Sequence, residues 1–175
     1  MPGSTIGLDL PYGMAGTVSY SGPDSPVIEA KTVKSTSASI PFGAVVIQNT
    51  DNTVNLSDAN TTAANFAGIA AVEVKQQIVY PTVGTNVAGQ YAPLQKCDVI
   101  KKGIVSVACK RGTPTAGGAV YVRTVLNGSF PAALIGDLEA SSDSTNSVLL
   151  TNCCWHSNRI DSNQIAQLKI KTINN

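Results

Sequence analysis

The chain has 175 residues, of which 43% are hydrophobic and only 13% charged, with a net charge of +1. This hydrophobic share excludes a disordered chain, and the near-balanced charge excludes a dedicated nucleic-acid binder, which carries a strong basic excess. The length suits one core rather than two.

Residues 1–26 stand apart from the rest. Pro2, Gly3, Gly7, Pro11, Gly13, Gly16, Gly22, Pro23 and Pro26 crowd this stretch, and its apolar residues follow neither a period of 2 nor one of 3.6. The segment is predicted to be an extended arm that buries little of itself and lies on another subunit. Short strands follow in residues 27–175, read as a single β domain. Residues 27–33 alternate. Residues 40–48 read as one buried strand with Pro41 at its entry, and 49–52 as a turn. Residues 53–56 return, 57–65 form a polar loop, and 66–74 are strand again, with 78–80 continuing past a bend. Residues 90–94 and 98–100 come next. Residues 102–109 alternate Ile104, Ser106 and Ala108 against Val105, Val107 and Cys109. Residues 119–125 are strand, and Asn127-Gly128 is the strongest hairpin signal in the chain. The stretch 135–139 is ambiguous, and 141–146 is a flexible polar loop. Residues 148–155 hold one or two strands, and 166–171 close the chain with Ala166, Leu168 and Ile170 inward. About ten short strands at such spacing predict an all-β fold: a compact barrel or sandwich, β-tulip or jelly-roll-like, with an extended N-terminal arm.

Ser, Thr and Asn number 45, which disfavours long helices. No segment reaches about 18 apolar residues, so no membrane span is expected. The start lacks a basic region followed by an apolar run, so no secretory signal is expected and synthesis is placed in the cytoplasm. Cys97, Cys109, Cys153 and Cys154 read as free thiols, with a Cys97–Cys109 bridge open if the two face each other on paired strands. Cys153, Cys154 and His156 lack the spacing of a zinc site, so no metal is expected. The one histidine, His156, has no nucleophile elbow beside it, and phosphate-binding glycine loops are absent. Asp51, Asn55 and Asp58 fit Asx turns better than a calcium loop. No enzyme and no cofactor is therefore expected. Lys96, Lys101, Lys102, Lys110 and Arg111 bracket what reads as two strands. If these pair, the charges gather at one end of the barrel and suit an acidic protein surface.

Five segments and the arm together resemble the structural cement, or capsid decoration, proteins of tailed phages. They are Ile40-Pro41-Phe42-Gly43-Ala44-Val45-Val46, Phe66-Ala67-Gly68-Ile69-Ala70, the stretch from Asp98 to Val107 as a hairpin, Gly117-Gly118-Ala119-Val120-Tyr121-Val122, and Ala166-Gln167-Leu168-Lys169-Ile170. Their order covers residues 1–171. Cys153-Cys154-Trp155-His156 and the doubled Lys101-Lys102 have no counterpart in the pattern. The resemblance implies a non-enzymatic virion protein on the exterior of the expanded capsid. It would bind between major capsid protein subunits, cement them against internal DNA pressure, and self-associate as a trimer, with a dimer as the alternative. It implies neither a specific nucleic acid nor a membrane as partner. The contact residues expected are Leu8, Leu10, Pro11, Tyr12, Met14, Val18 and Tyr20 in the arm, followed by Lys101, Lys102, Lys110 and Arg111. The alternative reading is a stand-alone β-sandwich binding module, such as a glycan-binding fibre or adhesin head. Sparse aromatic residues weigh against it.

Overall fold

The fold is organised around one strand. Lys96–Arg111 contains no proline and is rich in β-branched residues (Val99, Ile100, Ile104, Val105 and Val107), which favour extended backbone. In a computed structural model, which describes residues 11–20, 26–72 and 89–171, it forms a single strand of 16 residues, β8. The earlier strands are β1 (Val18–Tyr20), β2 (Val27–Thr32), β3 (Ile40–Pro41), β4 (Val45–Gln48), β5 (Val54–Leu56), β6 (Phe66–Ala70) and β7 (Gln90–Tyr91). After β8 come β9 (Tyr121–Arg123), β10 (Leu138–Glu139), β11 (Ser147–Leu149), β12 (Cys153–Trp155) and β13 (Ile165–Ile170). Among the described residues there is no α-helix, only one 3-10 turn at Ser144–Asn146. The all-β expectation holds.

β8 serves as the spine. Its first half pairs antiparallel with β2 and β6, and its second half with β13 and β1. Its end runs parallel to β10. The sheet continues from β6 through β4 to β5, and from β10 through β9 to β11. The expected break at Lys101-Lys102-Gly103 is not a turn. Gly103 adopts φ +122° and stays in the strand, so the predicted hairpin is one continuous element. Cys97 and Cys109 therefore lie on the same strand, roughly 40 Å apart along it, and cannot bridge. All four cysteines are free.

Two cores explain the unbroken apolar runs. Val45, Phe66, Ile69 and Ile100 face a main core with Val105, Val107, Val122, Trp155 and Leu168. Val46, Ala67, Ala70 and Val99 face a second core with Val33, Ile40, Val54 and Tyr91. β4, β6 and the first half of β8 thus form a wall covered on both sides, and such strands are apolar at successive positions rather than alternate ones. β3 and β7 close the second core, where the Tyr91 hydroxyl donates to the Ala71 carbonyl at 2.8 Å.

Two other expectations are corrected. The strand predicted over 40–48 is interrupted after Pro41, because Gly43 turns with φ +77° and packs where a Cβ would overlap Ala15. Asn127-Gly128 does not close a two-residue hairpin. β9 and β10 pair across the whole 124–137 loop, and Asn127 instead accepts the Ser129 N–H at 2.9 Å and donates to Asp143. The stretch 78–80 lies outside the described residues.

Candidate interaction surface

The described part of the arm, residues 11–20, is packed on the chain's own spine. β1 pairs with β8 at Val105 and Ile104. Gly16, at φ +88°, donates its N–H to the Ser106 carbonyl at 2.7 Å and accepts from Val72 at 2.9 Å. A Cβ there would strike Gly43 and the Ala70 carbonyl, so close backbone approach requires glycine. Ser106 is fully buried between Val105 and Val107. Its hydroxyl donates to the Tyr12 carbonyl at 2.9 Å, which leaves the Ser19 hydroxyl, 2.7 Å away, as donor to Ser106. The expectation of an arm unable to bury itself fails for these residues because backbone pairing, rather than a side-chain pattern, holds them.

Asp161 completes the anchor. One carboxylate oxygen accepts the Tyr12 N–H at 2.9 Å, and the other accepts those of Asn163 at 2.9 Å and Ile165 at 2.8 Å. Burial pushes its pKa up, but the three backbone donors outweigh burial, and the pKa lies below the ordinary aspartate value. The Tyr12 hydroxyl donates to Ser157 at 3.2 Å, and the Arg159 guanidinium sits 5.2 Å from its ring centroid. From this fixed base Pro11 and Met14 project, with Met14 66% exposed. Val18 is half-buried against the main core. Tyr20 ends β1 opposite Ile104. Leu8 and Leu10 lie outside the described residues.

The basic candidates do not gather at one end, because they are strung along one strand. Lys102 and Lys110 are roughly 26 Å apart along β8. Lys101 is buried, its ammonium 3.1 Å from Glu29, which also holds Lys31 at 2.7 Å. Hydrogen bonds from Lys31 and then Lys101 keep the Glu29 carboxyl below its ordinary range. Lys110 donates to Gln164 at 3.2 Å. Arg111 meets Glu139 at 3.3 Å, donates to the Ser141 carbonyl at 3.0 Å, and lies 4.1 Å over the Phe130 ring. Lys102 finds different company: with Lys169 and Lys171 it lines a hollow of about 130 Å³ beside Gly103 and Ile104. Sequence spacing did not bring these three together, because β13 returns to β8 only through the fold.

Sequence reasoning also missed a buried ion network. Arg123 and Glu139 are both fully buried, with Nε to Oε1 at 2.6 Å. Arg123 Nη1 reaches Asp143 at 2.9 Å, and Asn127 donates to both Asp143 oxygens. Asn127 first, and then Arg123, hold the Asp143 carboxyl below its ordinary range. The available signal was faint: one charge of each sign next to the inward Val122 and Leu138. The network fixes the two ends of the 124–137 loop, which presents Leu126 and Leu134 outward at 62% and 59% exposure. Among the described residues, no group of three or more His, Cys, Asp or Glu side chains is placed to hold a metal. Burial pushes the Cys97 and Cys153 thiols up to about 12, which keeps them protonated at neutral pH.

Comparison with known proteins fits this arrangement. Residues 2–171 match the family described as Structural cement protein (E217 gp24/Pam3 gp6). Among solved structures, a chain from "The capsid of Myoviridae Phage XM1" superposes with a TM-score of 0.66 at 21% identity, covering 93% of this chain and 91% of the other. That likeness shows a shared fold. No curated protein sequence matches. With nearly its whole length matched, the chain belongs to the phage structural cement protein family, a structural component of the virion.

Proposed function

We propose that this protein binds the outer surface of the expanded capsid, at junctions between major capsid protein subunits, and holds them together against the outward pressure of packed DNA. Its role is non-enzymatic. The observation that carries this reading is membership of the cement family over residues 2–171. The geometry supports it. The described arm begins at Pro11 on a fixed anchor, and Met14 projects from it 66% exposed, so a contact there needs no unfolding of the body; Leu8 and Leu10, outside the described residues, are proposed as further contacts. Lys102, in its hollow with Lys169 and Lys171, suits an acidic patch on that neighbour. A ligand that binds only the assembled lattice stabilises it by mass action, and many copies multiply a modest contact. Self-association, as a trimer or a dimer, belongs to the same reading.

Co-sedimentation with expanded heads lacking the protein tests this. The full chain is expected to pellet with heads. Deleting residues 1–10, or making Met14→Asp, is expected to weaken binding at least tenfold. Deletion of 1–20 is not a clean test, because Tyr12, Gly16 and β1 belong to the fold. Undiminished binding by the 1–10 deletion would remove the arm from the docking surface.

A further inference from the structure

The 124–137 loop and β11 show a surface that neither the arm nor the lysines account for. Val125, Leu126, Phe130, Leu134 and Ile135 are between 37% and 62% exposed, and Leu149 on β11 is 44% exposed. These are six of the ten large apolar side chains exposed among the described residues. The loop is not slack. Beneath it lie the Arg123–Glu139–Asp143 ion pairs, the Asn127 amide on Asp143, and the Leu134 N–H donating to Asp137 at 2.7 Å. A loop held this firmly, yet presenting leucines to water, is pre-organised for contact.

β11 adds a sheet edge. It ends the strand order and has β9 as its one partner among the described strands. Thr124 donates to the Asn146 carbonyl and Leu150 to the Val120 carbonyl, so even-numbered residues face β9. The backbone N–H and C=O groups of Ser147 and Leu149 therefore point outward.

We infer that this face, the β11 edge with the apolar 125–135 loop, is where two copies of the chain meet. Three observations select a second copy over another partner. Residues 125–136 contain no charged side chain, and the Arg111 guanidinium that stacks on Phe130 is paired with Glu139, so the face meets its own copy with little like-charge repulsion. An outward strand edge is self-complementary, because two β11 strands pair antiparallel about a two-fold axis. The six side chains together expose on the order of 500 Å², in the upper half of the range of a monomer's largest patch, which is often functional. Two such faces bury about 1,000 Å², the lower bound of a specific interface.

The assignment rests on the self-association included in the proposed function, and its test uses no capsid. Sedimentation velocity on the full chain at tens of micromolar is expected to show a dimer, the closed form of a two-fold interface, and a trimer there would overturn the two-fold pairing. Leu126→Asp with Leu134→Asp is expected to raise the dissociation constant at least tenfold and give a monomer with an unchanged circular dichroism spectrum. Leu149→Pro, which removes an outward N–H and leaves the ladder to β9 intact, is expected to do the same. A wild-type monomer at that concentration overturns the inference, and so does a multimer that persists in both variants. A monomeric wild type that still binds heads would refute this interface and leave capsid binding standing.

Discussion

Asp161 shows how one side chain converts a floppy segment into structure. Its carboxylate satisfies three backbone N–H groups, one from the arm and two from its own loop. Asp161→Asn loses the charge and one acceptor, and is expected to cost about 2 kcal/mol at pH 7, a fall in Tm of roughly 4–8 °C. The pH dependence has a definite sign. The folded pKa lies below the ordinary 3.8, so the stabilisation is complete above that value and drains away as pH falls through the folded pKa. The gap in Tm between wild type and variant is therefore expected to close on acidification below about pH 4. A gap that stays constant to pH 2 would contradict the role given to the charge. Glu139 makes the complementary case. Glu139→Gln removes the fully buried one of the two carboxylates that balance Arg123, leaving Asp143 as its remaining counter-charge, and is expected to cost about 3 kcal/mol in urea denaturation. Lys34→Gln breaks the exposed pair with Asp51 and is expected to cost under about 0.5 kcal/mol. Equal losses would contradict the burial argument. Neither Asp161 nor Glu139 stood out in the sequence, since isolated acids in loops and short strands look the same whether solvated or buried.

At the scale of elements, Gly43 and Gly16 join the arm to the body. Gly43→Ala forces a Cβ onto Ala15 at φ +77°, and is expected to cost about 2 kcal/mol. Limited proteolysis is expected to cut the variant within residues 11–20 faster than wild type, and identical cleavage would place the strain elsewhere. The same positions show what the sequence could reveal. Phe66–Ala70 and the closing Ile165–Ile170 were legible, the first as a continuous apolar run and the second as an alternation. β8 was not, because Lys101-Lys102-Gly103 carries the composition of a turn while tertiary pairing on both edges keeps it extended. The hold on residues 11–20 was equally hidden, since it runs through backbone groups that carry no residue signature. The lysine hollow depends on the register of β13 against β8, and pairing partners are not written in local sequence.

For the whole molecule, these parts describe one β body built on a single long strand, with distinct faces. The spine ties both cores, the arm and the ion network into one sheet. In the proposed function the arm side and the lysine hollow meet the capsid, and the apolar loop and the β11 edge are inferred to meet another copy. A net charge of +1 keeps mutual repulsion low between copies that, in the proposed function, sit side by side on one shell. Family resemblance was readable from the order of five weak segments and holds over residues 2–171. The contact surfaces were less readable, because they form only once distant strands are brought together. The most direct measurement is co-sedimentation of the purified protein with expanded heads and, in parallel, with unexpanded shells. Pelleting at a fixed stoichiometry with expanded heads alone is the expected result, and a protein that stays in the supernatant with both would contradict the cement role.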